Sequence, residues 1–78
     1  MRHTVKMPRL ADSANDVFVV KWLVVVGETV TAGQPLVQVE TAKAQQDVEC
    51  PVAGQVAELR VSEGVDVLAG TPIAVVVT

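Results

Sequence analysis

Lys43 lies between two alanines in the segment Glu40-Thr41-Ala42-Lys43-Ala44, close to the middle of a chain of 78 residues. Its amine has only small neighbours in the sequence, so it is free to enter the active site of another protein. Many exposed lysines do no more than keep a surface soluble, since lysine is rarely buried. The organisation of the chain around Lys43 decides between these two interpretations.

Alternating apolar and polar residues flank this segment, over Val37–Thr41 before it and Asp47–Cys50 after it. A period of two is typical of half-buried strands. Two strands joined by a few residues form a hairpin, and we therefore predict that Lys43 stands at a hairpin tip. The tip lacks Gly and Asn, which favours a type I turn over the primed types.

The chain consists of two related halves. Gly27 and Pro35 recur as Gly64 and Pro72, at a constant offset of 37 residues. The further pairs at this offset are Val19 and Val56, Trp22 and Leu59, Val30 and Val67, Ala32 and Ala69, Gly33 and Gly70, and Leu36 and Ile73. Two strand-rich halves bury their apolar faces against each other, whereas an open solenoid needs at least three repeats. We predict an all-β flattened barrel or sandwich with pseudo-twofold symmetry, in which the hairpin tip lies opposite the termini.

Valine dominates the composition, at nineteen of 78 residues, and favours strands over helices. The length allows one small domain over residues 1–78. The predicted strands and apolar runs are Met7–Leu10, Val17–Val26, Leu36–Thr41, Gln45–Cys50, Gln55–Val61 and Ile73–Val77, and Ala11–Asp16 is a polar loop. The repeated glycines are expected at turn positions with positive φ, and the repeated prolines just before strands.

Charge and composition exclude several classes of function. The net charge is −3, there is no basic patch and only Phe18 and Trp22 are aromatic, which argues against nucleic-acid binding. No apolar run approaches the roughly 20 residues of a membrane span. We expect no secretory signal, because no apolar stretch ending in a cleavage site follows Lys6. His3 is the only histidine and is expected in a mobile terminus, so triads and metal clusters lack their parts.

Cys50 is the single cysteine and cannot form an internal disulfide. We predict that it packs as a small apolar group, the usual role of an unpaired cysteine. A free thiol fits a reducing compartment. We expect the cytoplasm, or the mitochondrial matrix if a targeting segment has been removed.

The chain resembles the lipoyl domains of 2-oxo acid dehydrogenase complexes, which lie at the N-terminus of the dihydrolipoamide acyltransferase component. Glu40-Thr41-Ala42-Lys43-Ala44 matches the family motif Glu-Thr-Asp-Lys-Ala except at Ala42. The other matching segments are Met7-Pro8-x-Leu10, Val20-Lys21-Trp22-Leu23-Val24, Gly27-Glu28-x-Val30, Gly33-Gln34-Pro35-Leu36, Pro51-Val52-x-Gly54 and Glu63-Gly64-x-x-Val67. Together these segments cover almost the whole chain.

The resemblance implies a barrel-sandwich hybrid of two four-stranded antiparallel sheets. It also implies that lipoate is attached to Lys43 by an amide on its ε-nitrogen, so that the domain carries acyl groups and electrons without catalysing a reaction. The residues implied in recognition around the lysine are Glu40, Thr41, Ala42, Ala44, Asp12 and Ser13. Two departures from the family, Ala42 in place of Asp and Ala11-Asp12-Ser13 in place of Gly-Glu-Ser, concern which decarboxylase recognises the domain.

The partners implied by the resemblance are enzymes that act on the carried group. They are a lipoate ligase or lipoyl transferase, a thiamine-diphosphate-dependent 2-oxo acid decarboxylase, an acyltransferase core and a flavin-dependent dihydrolipoamide dehydrogenase. The chain would be the N-terminal part of a longer acyltransferase, and the isolated domain is expected to be monomeric. We further hypothesise that an acidic face made by Glu40, Asp47 and Glu49 steers the domain to basic rims on its partners.

Two alternatives remain from the sequence. A biotin carrier domain shares the fold and the hairpin lysine, but its lysine normally lies between methionines, where this chain has Ala42 and Ala44. An unmodified barrel that serves only as a structural or interaction module is the other alternative. Covalent modification of Lys43 would distinguish all three.

Overall fold

The computed structural model describes residues 1–9, 16–41 and 44–78. Over these ranges the strands are β1 (Arg2–Lys6), β2 (Asp16–Trp22), β3 (Thr29–Val30), β4 (Pro35–Glu40), β5 (Gln45–Glu49), β6 (Gly54–Leu59), β7 (Asp66–Leu68) and β8 (Pro72–Val77). Within the described ranges there is no helix of the length and apolarity needed to cross a membrane.

The strands form two four-stranded antiparallel sheets that pack as a flattened sandwich. The first sheet has the order β1-β8-β6-β3 and the second has the order β5-β4-β2-β7. Because β8 is the sequence repeat of β4 and β6 is the repeat of β2, the two sheets have the same order. The predicted all-β sandwich of two related halves is confirmed.

The pseudo-twofold relation extends to the irregularities of the backbone. The register shifts after Val19 where β2 pairs with β4, and after Val56 where β6 pairs with β8. Hydrogen bonds between the sheets repeat in the same way. The Gly27 amide donates to the Val56 carbonyl at 2.8 Å, and the Gly64 amide donates to the Val19 carbonyl at 2.7 Å. The two halves therefore share their backbone geometry as well as their apolar pattern.

Buried residues of both sheets fill one core between them, and in β8 the four residues Ile73 to Val76 are all buried. Its fully buried side chains include Met7, Val17, Val19, Val30, Leu36, Val37, Val39, Cys50, Val56, Ile73 and Val76. Cys50 is buried as predicted, and its thiol donates to the Val52 carbonyl at 2.9 Å. The four turn glycines with positive φ are Gly27, Gly33, Gly64 and Gly70, again as predicted.

The prediction for the N-terminus was wrong. The first strand is Arg2–Lys6 rather than Met7–Leu10, and His3 pairs with Val76 in β8 instead of lying in a mobile terminus. Only Val5 of this strand is buried, so the strand shows no apolar alternation. Its backbone pairs along β8, and backbone pairing alone does not require any pattern of apolar side chains in the sequence.

Candidate modification site at the β4–β5 hairpin

Strands β4 and β5 form the predicted hairpin. Glu40 pairs with Gln45 at its end, and the side-chain Nε2 of Gln45 donates to the Glu40 carboxylate at 3.2 Å. Val37 and Val39 face the core while Glu40 is exposed, as the alternation predicted. One buried face therefore fixes the register of the hairpin, because a slip by one residue would turn its valines to solvent.

Thr41 and Ala44 close the hairpin beyond the last strand pair. The Thr41 amide donates to the Ala44 carbonyl at 2.9 Å, and the Thr41 hydroxyl lies 3.2 Å from the same oxygen. The Ala44 amide lies 3.4 Å from the Thr41 hydroxyl oxygen. Thr41 is the one buried polar residue of the described chain, at 7% exposure. Thr41 thus has a structural role that the sequence pattern alone did not assign to it.

Two residues connect Thr41 to Ala44 in the sequence, and they are Ala42 and Lys43. Both lie outside the described residues, as do Asp12 and Ser13, so the proposed attachment residue, the type I turn and the first-loop recognition residues remain predictions. Of the predicted recognition residues, the structure brings together Glu40, Thr41 and Ala44 at the hairpin.

The hairpin end of the second sheet and the termini lie at opposite ends of the domain. Strand β2 runs away from the hairpin, from Phe18 opposite Glu40 to Trp22. The chain then reaches Thr29 in β3 of the first sheet. Thr29 and Val77 lie on either side of Gln55, and both pair with it. The end of the second sheet that is remote from the hairpin therefore adjoins the terminal end of the first sheet, as the repeat predicted.

Carboxylates predominate on the outer surface of the second sheet. Glu40, Asp47 and Glu49 are all exposed there, which is the acidic face predicted from the sequence. The pairing of β2 with β4 and β7 adds Asp16 and Asp66, because Phe18 lies opposite both Glu40 and Asp66. Sequence reasoning missed these two carboxylates, although Asp16 and Phe18 occupy outward-facing alternate positions of β2.

A cavity of about 490 Å³ lies between the edge strands β1 and β5. Its polar lining includes His3, Lys6, Asp47 and Glu49. Across the described ranges, no three side chains of His, Cys, Asp or Glu are grouped so that they could hold a metal ion.

Comparison with known proteins gives one family. The family model described as "Biotin-requiring enzyme", which covers biotinyl and lipoyl domains, matches residues 3–76. The chain is 36% identical over 76 residues to the dihydrolipoyllysine-residue acetyltransferase component of the Corynebacterium glutamicum pyruvate dehydrogenase complex. It is 40% identical over 72 residues to the dihydrolipoyllysine-residue succinyltransferase component of the Staphylococcus saprophyticus 2-oxoglutarate dehydrogenase complex.

These matches cover 97% and 92% of this chain but only 11% and 17% of the two relatives. Among solved structures, the lipoyl domain of the Azotobacter vinelandii 2-oxoglutarate dehydrogenase complex superposes with a TM-score of 0.76 at 29% sequence identity. That superposition covers 96% of this chain and 95% of the other. The similarity therefore extends over nearly all of the solved lipoyl domain but over a small part of the longer relatives.

Proposed function

The chain belongs to the biotinyl/lipoyl family, and from this membership we propose that it is a lipoyl carrier domain with lipoate attached to Lys43. The observation that carries the proposal is the hairpin closed by Thr41 and Ala44, with Lys43 in the two-residue connection between them. The named relatives favour lipoate over biotin, because both are dihydrolipoyllysine-residue components. The alanines beside Lys43, where biotin carriers have methionines, favour the same group.

The residues of the hairpin fit a covalently attached group. Glu40 and Ala44, on either side of the connection, are exposed, which leaves room for an enzyme to reach it. The hydrogen bonds between Thr41 and Ala44 hold together the two strand ends from which an attached arm would extend. A lipoyl group supplies reversible disulfide chemistry. Cys50 does not offer it, since its thiol is buried and donates to Val52.

We propose that the domain carries substrate rather than catalyses a reaction, as part of a longer acyltransferase chain. The share of the two acyltransferase relatives that the chain covers, 11% and 17%, supports this assignment. A carrier linked to its enzymes would make each transfer effectively intramolecular. The expected partners are the attaching ligase or transferase, the decarboxylase, the acyltransferase core and dihydrolipoamide dehydrogenase. A cytoplasmic location accords with the unpaired Cys50.

Intact mass with peptide mapping tests the attachment. We expect the domain, produced in cells supplied with lipoate, to gain the mass of one lipoyl group on Lys43 and the Lys43→Ala variant to gain none. Lys6→Ala and Lys21→Ala are matched controls, since they remove the other two lysines of the chain. Both should be modified as fully as the wild type.

Other outcomes would assign the domain differently. The mass gain of a biotinyl group would identify a biotin carrier. No gain with purified lipoate ligase, in the wild type and in Ala42→Asp, which restores the family residue, would favour an unmodified interaction module.

A further inference from the structure

The two longest edge strands of the described chain lie beside each other. Strands β1 and β5 are the outer strands of the first and second sheets, and both line the cavity of about 490 Å³. Each has five residues, while the other two edge strands, β3 and β7, have two and three. A long edge strand is a template on which another strand can pair, whereas a short one offers little backbone.

Both of these edge strands direct backbone groups away from their own sheet. In an antiparallel pair, alternate residues bond to the partner strand and the residues between them point outward. The Met7 amide donates to the Thr71 carbonyl at 2.9 Å, and the Cys50 amide donates to the Gln34 carbonyl at 2.8 Å. Met7 and Cys50 therefore face inward, and alternation assigns the outward backbone groups to Thr4 and Lys6 in β1 and to Asp47 and Glu49 in β5.

The two edges are equivalent in backbone and opposite in charge. They pair with the equivalent strands β8 and β4, and their buried residues and the proline after each correspond at an offset of 43 residues. With His3 neutral, Arg2 and Lys6 give β1 a formal charge of +2, and Asp47 and Glu49 give β5 a formal charge of −2. We call β1 the basic edge and β5 the acidic edge. The fold requires the burial pattern of these strands but not their charges.

Most of these edge charges are not used within the domain. The ion pairs of the described ranges are both made by Glu58, with Arg2 and with Arg60. The other charged residues of the two edges are exposed and belong to neither pair, and they are Lys6, Asp47 and Glu49. Edge charges oppose pairing with an identical strand, because like charges then face each other. The same charges favour a strand of opposite charge.

We infer that the domain pairs with a second copy of itself along this side, with the basic edge of each copy against the acidic edge of the other. Each sheet of one copy then continues into a sheet of the other. The two edges run in opposite directions, since β1 begins at the terminal end and β5 at the hairpin end. A twofold axis parallel to the strands therefore makes both contacts antiparallel.

Charge selects this arrangement over the other twofold arrangement. An axis perpendicular to the sheets brings β1 against β1 and β5 against β5, so that like charges meet in both contacts. The axis parallel to the strands brings opposite charges together in both. Juxtaposed like charges suppress wrong pairings, and complementary charges fix the right one. The charges of the two edges thus prevent one mode of pairing and leave the other open.

The favoured arrangement places both hairpins at the same end of the pair, because rotation about an axis parallel to the strands preserves their direction. This consequence rests on the proposed function, since it sets two copies of Lys43 side by side with both tethers at the opposite end. Tethered domains of one complex meet at effective concentrations on the order of 1 mM. A dissociation constant near that value leaves a dilute domain monomeric, as expected from the sequence.

Reversal of the edge charges tests the inference. Arg2→Glu with Lys6→Glu makes both edges acidic, and Asp47→Lys with Glu49→Lys makes both basic. The quadruple variant that combines them exchanges the two edges and keeps the net charge at −3. Lys21→Glu with Arg60→Glu is the matched control, because it makes the same change in net charge as the first double variant and also removes an arginine that pairs with Glu58.

All variants are made with Lys43→Arg, which accepts no lipoate and keeps the charge, so the result does not depend on the proposed function. Urea unfolding confirms that each variant is folded. Self-association is measured by sedimentation equilibrium and by NMR amide shifts over a dilution series that spans the millimolar range. We expect a dissociation constant of about 1 mM or below for the parent, with shifts centred on β1 and β5.

Each double edge variant should associate at least about 10-fold more weakly than the parent at low salt. The quadruple variant and the matched control should remain within about 3-fold of the parent, since exposed ion pairs such as those of Glu58 contribute little. Mixing the two double edge variants in equal amounts should restore association, because each then offers the edge that the other lacks.

Several results would overturn the inference. The parent could stay monomeric throughout the millimolar range, or both double edge variants could associate as tightly as the parent. An equal loss in the matched control would show that only net charge matters. Concentration-dependent shifts confined to β3 and β7 would place the contact on the other side of the domain. Intermolecular NOEs that join β5 to β5 would assign the rejected twofold arrangement.

Discussion

The closure of the hairpin at Thr41 and Ala44 is repeated at the termini, by Thr78 and Met1. In both places a threonine amide donates to the partner carbonyl at 2.9 Å. The threonine hydroxyl lies 3.2 Å from that oxygen in one and 3.5 Å in the other. Thr41 and Ala44 are connected in the sequence through Lys43. Thr78 and Met1 are instead the last and first residues of this chain. The duplicated backbone therefore presents two similar ends, and side chains alone make them chemically different.

The turns that leave β2 and β6 show the same divergence. Leu23 donates its amide to Leu36 at 2.8 Å, and Arg60 donates its amide to Ile73 at 2.7 Å. The backbone bond is the same, yet one exposed side chain is apolar and the other is charged. These surface positions tolerate either kind of residue, whereas the core positions of both halves are apolar. The comparison separates what the fold needs from what is free to serve function.

Truncation of the equivalent core residues Leu36 and Ile73 should produce the largest effect. Both side chains are fully buried, at 0% exposure, next to equivalent register shifts. We expect Leu36→Ala and Ile73→Ala each to lower the free energy of unfolding by about 3 to 4 kcal/mol, since each leaves a cavity. Urea unfolding measures both values. A cost below about 1 kcal/mol at one site alone would show that the halves are not energetically equivalent.

Much of this fold was predictable because its determinants are local or repeated. The offset between Pro35 and Pro72 marks the start of β4 and β8, and turn glycines such as Gly33 and Gly70 mark where the chain reverses. The first strand was not predictable, since it buries only Val5 and relies on main-chain pairing with β8. Partner-dependent strands of this kind show no periodicity of their own.

Gly54 tests more closely how far the two halves are equivalent, because the two halves have different residues at this position. Its equivalent in β2 is the buried Val17, but a Cβ on Gly54 would lie 2.4 Å from the Val77 carbonyl oxygen and 2.8 Å from a methyl carbon of Val76. The Val77 carbonyl oxygen belongs to the backbone and cannot move away without disturbing the pairing of β6 with β8. We expect Gly54→Ala to cost about 2 to 3 kcal/mol of unfolding free energy in urea.

Gly33→Ala and Gly70→Ala are its matched controls. Both glycines have a φ of 89° and no atom within 4 Å of an added Cβ, so only backbone conformation opposes the change. Each should cost about 1 kcal/mol. A cost for Gly54→Ala no larger than these would mean that the close approach to Val77 relaxes freely.

The site was predictable in part, for a different reason. Lys43 was proposed as the attachment residue because it lies in a contiguous motif, and this assignment stays a prediction. The inward position of Thr41 was predicted from the alternation and is confirmed by its burial. Asp66 and Leu68 were missed because β7 is only three residues long and pairs with a distant strand. Sequence alone does not show that pairing, and without it Asp66 and Leu68 cannot be placed beside Phe18.

The smallest effect is expected where the two halves differ most freely. Leu23→Arg with Val25→Ser copies the residues of the second turn, Arg60 and Ser62, into the first. Leu23 is 41% exposed and Val25 is 66% exposed, so little apolar burial is lost. We expect the free energy of unfolding to change by less than about 0.5 kcal/mol, measured in urea against the reverse double variant, Arg60→Leu with Ser62→Val. A loss above about 1 kcal/mol in the first variant would show that this apolar turn contributes to the fold. The two ends of the domain would then differ in their structural requirements as well as in their chemistry.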